Sequence, residues 1–430
     1  MKTKNDIFVA VDLGGSKLSV MAASKNSEGL LQIIDVESIA LPHESIHYGV
    51  IKKPSVVATN LIALLENLQK GIQQKEKNTC EISSFYLGID GNTLRTESRS
   101  LRKQFQKKTS LNKILLEEIV RQIKQKLSDD GIFSEEKYPS EFTKSGVFVY
   151  EIFPQSYVVD DILCSNPLDK ICTSLQMKFL MARSGLGLFA GYNAVEKEFG
   201  KTKIKIKKSL AGISLGEAFL TEEEKNNGAV LIDFGAQRTT FVAYKNGILN
   251  YLGCVPLGGD AITKDLSELV GADIREAEKI KCEFGTVCYE SSENVYAGDT
   301  HVSYRKMLSI IKTRQLEIID FVEQHLEKVG FADLLKQIVV ITGGASQMKN
   351  LEALLVNEKM WRVRKLDLSA YAKSDISHLQ PENALLLSLL INAKDACCSI
   401  NKKKEEKNDK GKGNSIGIFD TLNRMFSDPE

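Results

Sequence analysis

The chain opens on Ile7-Phe-Val-Ala-Val11, Asp12-Leu-Gly14-Gly15-Ser16-Lys17 and Leu18-Ser-Val20: an apolar run, a glycine-rich turn, and a second apolar run. About 220 residues later the arrangement recurs as Ala229-Val-Leu-Ile232, Asp233-Phe-Gly235-Ala236-Gln237-Arg238-Thr239-Thr240 and Phe241-Val242. A third turn, Thr342-Gly343-Gly344-Ala345-Ser346, follows the run Ile338-Val-Val-Ile341. Lacking Cβ atoms, glycine turns let backbone N–H groups approach phosphate oxygens closely. An Asp at each turn suits a Mg²⁺ held through water, and Lys17 suits a terminal phosphate as a point charge. One such turn alone reads as an ordinary hairpin. Two in order, with the third behind them, point to a nucleoside triphosphate clamped between two similar domains.

Composition sets the bounds. At 430 residues the chain holds several cores, so two to four domains are expected. A formal net charge of +1 argues against a nucleic-acid binder. The first residues enter a strand without an apolar signal stretch, and no apolar run is long enough to cross a membrane. The eight cysteines are scattered without a CxxC pair, and the five histidines show no metal spacing, so reduced thiols and no zinc site are expected.

Periodicity orders the rest. Strands alternate over residues 7 to 36, and helical spacing follows over Val56 to Gln73. A strand covers Ile82 to Gly91. The basic stretch Arg95 to Lys108, a helix over Asn112 to Lys126, and strands over Gly146 to Phe153 and Ser174 to Met181 read as an insertion in the first domain. Helices are expected over Leu186 to Phe199, Glu217 to Lys225, Ile262 to Leu269, Ala272 to Phe284, Tyr304 to Val329 and Ala384 to Asn392. Residues 401 to 414 contain no apolar side chain, carry six lysines against three acids (a balance of +3), and are expected to be disordered.

The three turns resemble the two phosphate segments and the adenosine segment of the actin, sugar-kinase and chaperone ATPase superfamily. Longer marks resemble the FtsA family of actin-like bacterial division proteins over nearly the whole chain. They are Phe153-Pro-Gln155-Ser-Tyr157-Val-Val-Asp160 with Asn166-Pro167-Leu168, Leu220 to Lys225, Gly228 to Asp233, Tyr244-Lys-Asn-Gly247, Val255-Pro-Leu-Gly258-Gly259-Asp260, Glu276 to Gly285, and Val340 to Ala345. The resemblance implies an α/β actin-like ATPase fold, with two lobes of duplicated β-meander cores. The first-lobe core would be 1–84 and 176–208, closed by a helix at 382–395, with the FtsA-type inserted subdomain at 85–175. The second-lobe core would be 209–260 and 337–381, with a helical FtsZ-binding subdomain at 261–336. A disordered linker at 396–414 and a membrane-targeting helix at 415–430 complete the organisation.

It also implies ATP in the cleft, with Gly14, Gly15, Ser16 and Lys17 on one side of the phosphates, and Gly235, Thr239 and Gly258 on the other. Asp12 and Asp233 would lie near Mg²⁺, and Gly343 and Gly344 along the adenosine. Glu278 and Lys281, at i and i+3 on one helix face, would serve the ribose and base edge; an intrahelical ion pair is the plainer reading of that spacing. Many family members have glycines followed by Thr-Thr-Asp where this chain has Ala236, Gln237, Arg238 and Thr240. Two placements are open for Arg238, a charge-assisted phosphate contact or solvent. No carboxylate is evident to orient an attacking water, and the catalytic residue is unknown. ATP binding with slow or absent hydrolysis is expected.

In the tail, Ile418, Phe419, Leu422, Met425 and Phe426 form one stripe of a helix, with polar residues on the other face. Five apolar side chains at about 1.5–3 kcal/mol each, less the ordering cost, suit reversible membrane binding. The basic linker adds attraction to anionic lipid. Many tails on one filament would bind far more firmly. The resemblance further implies that the chain polymerises and that Lys306 and Arg314 on the long helix meet the acidic, apolar C-terminal peptide of FtsZ. The inserted subdomain would recruit other division proteins, with the chain peripheral on the cytoplasmic face of the membrane at the septum. A sugar kinase is the alternative. Its catalytic Asp beside a sugar pocket and its Cys/His zinc cluster are not found, and a chaperone would need a substrate domain after the ATPase part.

Overall fold

The computed structural model describes residues 6–26, 29–42, 44–76, 80–129, 132–133, 146–200, 202–287, 304–373 and 379–400. Its two main sheets repeat one topology. In the first lobe the strands Ile7–Leu13, Lys17–Lys25 and Leu31–Ala40 form an antiparallel meander, and Ser84–Ile89 and then Lys205–Leu210 add in parallel beyond Ile7–Leu13. Ala372–Lys373 closes the far edge. In the second lobe the meander is Ala229–Phe234, Thr239–Lys245 and Ile248–Val255, with Val339–Thr342 and Val363–Lys365 parallel beyond Ala229–Phe234. The starting strands are buried along nearly their whole length, which explains why they read as continuous apolar runs.

Between the sheets lie two short helices, Ala211–Phe219 and Ala384–Asn392. The second is apolar on every face, as a helix buried on all sides must be. In the first, Gly212 and Gly216, one helical turn apart, bring its backbone onto the second sheet. A Cβ on Gly212 would lie 2.6 Å from Leu252, and one on Gly216 2.6 Å from Tyr244. Ser388 Oγ meets Ser214 Oγ at 3.1 Å, and Asn392 donates to the Ser214 carbonyl at 2.9 Å, so the pair is fastened by its few polar groups. One apolar cluster therefore runs from the first sheet into the second.

Two further units hang on this frame. In the insertion, Arg95–Ser110, Val147–Val159 and Ile171–Gly185 form an antiparallel sheet covered by the helix Lys113–Asp129, with its own core. The basic stretch is thus part of a long strand, paired over Arg95 to Gln104 and again at Thr109 and Ser110, while most of its charged side chains take the solvent. Both neighbouring strands outrun their expected lengths. Val147–Val159 continues through Pro154 because a register shift between Pro154 and Ser156 accommodates the missing N–H. In the second lobe the helices Gly259–Val270, Ile274–Phe284 and Tyr304–Lys328 pack with the outer sheet face around a separate core.

Two segments differ from the sequence expectation. The helix expected over Glu217 to Lys225 is two helices, Ala211–Phe219 and Glu222–Asn227. Thr221 caps the second in a reciprocal box with Glu224, which ends the first. Cys398–Ile400 is a strand on Cys80–Ile82, inside the stretch expected to be linker from residue 396. The rest of that linker, and the tail helix with Ile418, Phe419, Leu422, Met425 and Phe426, lie outside the described residues. The seven cysteines among the described residues are free thiols. No helix there is long and apolar enough to cross a membrane.

Candidate functional site

The two hairpins place their turns equivalently. Asp12 pairs with Ser19 and Asp233 with Thr240, so each carboxylate leaves its strand at the same point of the turn. Each hairpin is tight where its first glycine stands. A Cβ on Gly14 would lie 2.6 Å from the Lys17 carbonyl oxygen, and one on Gly235 2.8 Å from that of Arg238. The third turn is adjacent to the second because Thr342 pairs with Asp233. Gly343 has φ +89° there, and its Cβ would meet Asp233 Oδ1 at 2.2 Å. No other residue fits.

The second turn is docked on a helix start. Gly259 N–H donates to the Gly235 carbonyl at 3.0 Å, and Asp260 N–H to that of Ala236 at 2.7 Å. A Cβ on Gly258 would lie 2.4 Å from the Gly235 oxygen. Lys281 reaches the same place, donating to the Gly259 carbonyl at 3.1 Å and to Thr263 Oγ1 at 2.8 Å. Its ion pair with Glu278 at 2.7 Å is the i, i+3 contact that the spacing suggested. Burial alone would raise the Glu278 carboxyl, but Lys281 and hydrogen bonds outweigh it and hold it below its usual range. A Cβ on Gly259 would lie 3.4 Å from that of Ala345, so the helix start, Lys281 and the third turn converge. Thr239, also expected at the phosphates, is buried, and its hydroxyl donates to the Leu257 carbonyl at 2.9 Å.

Arg238 takes neither of its two expected placements. Its side chain is buried, and Nε donates to Asp90 Oδ2 at 2.6 Å. Thr240 Oγ1 donates to the same oxygen at 2.8 Å, and Gly91 N–H to Oδ1 at 2.8 Å. Asp90 follows the strand Ser84–Ile89 of the first lobe, so the second turn sends a guanidinium across the cleft. Gln237 crosses as well. Its Oε1 accepts from the Tyr48 N–H at 2.8 Å, and its Nε2 faces the Gly15 carbonyl at 3.5 Å. Lys17, expected at a terminal phosphate, is ion-paired with Glu382.

Asp12 and Asp233 keep some access to the cleft, with protein on every other side. Burial pushes the Asp12 carboxyl up to about 6, Arg238 opposing this and Asp90 adding to it. Burial, then repulsion from Asp90 and Asp12, pushes Asp233 up to about 7 against the pull of Arg238. Two crowded carboxylates facing a cleft suit a hydrated dication held through water. The described residues contain no group of three His, Cys, Asp or Glu side chains placed to hold a metal ion.

On the long helix, Lys306 is exposed on the first turn. Arg314 donates to Asp265 at 2.8 and 3.0 Å and pairs with Glu317 at 2.5 Å, so its charge is already answered. It borders a groove of about 730 Å³ lined by Asp265, Arg314, Glu317, Asp320 and the half-exposed Phe321.

Sequence reading missed Asp90, Tyr48 and Glu382. Asp90 had a local signal, an Asp-Gly step after a buried strand. Tyr48 and Glu382 had none, because their roles come from contacts spanning 189 and 365 positions.

Residues 230–381 match the family model "Cell division protein FtsA". The FtsA of Bacillus subtilis (strain 168) is 25% identical over 362 residues, 81% of this chain and 76% of the relative. That of Neisseria meningitidis serogroup B is 34% identical over 152 residues, 33% of this chain and 37% of the relative. Among solved structures, a chain of the "PilM-PilN type IV pilus biogenesis complex" superposes with a TM-score of 0.62 at 15% identity, covering 89% of this chain and 97% of that one. At that identity the likeness is one of fold. Residues 230–381 thus match the FtsA model, the chain is similar to FtsA proteins over most of its length, and its fold is the actin-like ATPase fold.

Proposed function

We propose that this chain is a nucleotide-binding, polymerising membrane tether of the division apparatus, working at the inner face of the cytoplasmic membrane at the septum. The observation that carries the nucleotide part is the meeting of all three glycine turns, Gly14–Gly15, Gly235 and Gly343–Gly344, at one cleft between duplicated lobes. ATP would lie with its adenosine along Gly343, Gly344, Glu278 and Lys281. Its phosphates would point toward Gly14, Gly15, Ser16 and Lys17 on one side, and Gly235, Thr239 and Gly258 on the other. Asp12 and Asp233 would hold Mg²⁺ through water, and the ion would offset phosphate charge there. Lys17 must leave Glu382 to meet a phosphate. Hydrolysis is slow or absent in this reading. Asp90, the further carboxylate in the cleft, has its oxygens engaged by Arg238, Thr240 and the Gly91 N–H.

The remaining roles rest on the FtsA likeness and on sequence. The stripe Ile418, Phe419, Leu422, Met425 and Phe426 would hold an anionic membrane, and a filament would multiply that hold. The groove beside Arg314, together with Lys306 on the same helix, would take the FtsZ C-terminal peptide, whose carboxylates must compete with Asp265 and Glu317 for the guanidinium. The inserted subdomain would recruit other division proteins. The nucleotide reading is tested by titrating a fluorescent ATP analogue into the full chain and into Gly343→Val. Wild type should bind, while the variant, whose side chain collides with Asp233, should lose at least tenfold in affinity. Equal affinity in a folded variant would remove the third turn from the site.

A further inference from the structure

We propose that Gln237 makes this cleft selective for a nucleoside diphosphate over the triphosphate, an inference that rests on the nucleotide reading above. The two phosphate-side turns are not separated by open space. An ideal Cβ on Gly15 would lie 2.4 Å from Gln237 Cδ, 2.6 Å from Oε1 and 2.7 Å from Cγ, so the carboxamide is laid against the Gly15 backbone. Both its ends are used. Oε1 accepts from the Tyr48 N–H at 2.8 Å, and Nε2 faces the Gly15 carbonyl at 3.5 Å.

Tyr48 is itself held firmly in place. It has φ +48° in a turn whose next residue, Gly49, packs on Asp90, and its carbonyl accepts from the Asn92 N–H at 3.0 Å. Gln237 therefore leans on a rigid part of the first lobe. Arg238, beside it on the same turn, is anchored to Asp90 and keeps the turn from swinging away.

A nucleotide held along the third turn and the Gly259–Lys281 corner, as in the reading above, would meet the second turn with its inner phosphates. Its outermost phosphate would then have to enter the gap between Gly15 and Gln237, which the carboxamide now fills. That requires displacing the carboxamide and giving up the Tyr48 hydrogen bond. The extra phosphate also brings more negative charge toward Asp12 and Asp233, while Lys17 is engaged by Glu382 and Arg238 by Asp90. A diphosphate stops short of the gap. The loss of one ordinary hydrogen bond already corresponds to about tenfold in affinity, or about 1.4 kcal/mol.

The test is calorimetric titration of the full chain with ADP and with ATP, both with Mg²⁺, for wild type and Gln237→Gly. Wild type should bind ADP at least tenfold more tightly than ATP. The variant should gain at least tenfold for ATP while its ADP affinity moves less than threefold. Wild-type affinity for ATP equal to or above that for ADP overturns the inference, as does an unchanged ratio in a folded variant. The wild-type ratio decides alone if the variant does not fold. Absence of binding by both nucleotides overturns the nucleotide reading itself, and the selectivity with it.

Discussion

Replacing Arg238 with Ala tests whether the second turn fastens the lobes together. The Arg238 and Asp90 side chains are 10% and 6% exposed, so their charges face each other with little solvent screening. Without the guanidinium, the Asp90 carboxylate keeps two neutral donors among the described residues, the Thr240 hydroxyl and the Gly91 N–H. Breaking a buried pair from one side in this way costs about 3–5 kcal/mol, mostly as the penalty on the charge left behind. The double variant Asp90→Ala with Arg238→Ala leaves no charge stranded, and should be less destabilised than the sum of the single variants by about 2 kcal/mol or more. Urea unfolding followed by far-UV circular dichroism and by tryptophan fluorescence reads both effects. The single tryptophan, Trp361, is buried in the second lobe, where its indole N–H donates to Glu323 at 3.0 Å. Wild type should lose both signals together, whereas Arg238→Ala should shift both and separate them as the lobes uncouple. A loss under about 1 kcal/mol, or simple additivity in the double variant, would refute the idea that this pair clasps the lobes.

Asp12 and Asp233 have folded values of about 6 and about 7 against an ordinary 3.8, so the folded state keeps protons that the unfolded chain has released. Stability without nucleotide or divalent ion should therefore fall as pH rises from about 4 to about 7, and the loss is complete above that. Asp233→Asn should remove a share of that loss on the order of 4 kcal/mol at pH 8 and flatten the profile of melting temperature against pH; an unchanged slope would contradict the assignment. Arg314→Glu should leave folding nearly intact, since partly exposed pairs contribute about 0.2–1 kcal/mol each, and should weaken binding of the FtsZ C-terminal peptide measured by fluorescence anisotropy. Equal affinity would take Arg314 out of that site. Deleting residues 415–430 should abolish pelleting with anionic liposomes, and undiminished pelleting would sink the membrane role of the tail.

What the sequence determined by itself was whatever local sterics and periodicity enforce. Gly14, Gly235 and Gly343 announce turns that only glycine fits, and the buried runs beside them announce the duplicated sheets. The stripe of the long helix and the apolar faces of Ala384–Asn392 were legible for the same reason. The charged strand Arg95–Ser110 was not, because its pairing partner, and not its own pattern, makes it a strand. The capped break at Thr221 lay in a run that helical spacing alone could not divide. Only the tertiary structure decided what the atypical second turn does. Gln237 reaches Tyr48 across 189 positions and Arg238 reaches Asp90 across 148. No periodicity records such contacts, since they exist only once the two sheets have met, and a buried charge between them finds its partner in whichever lobe presents one.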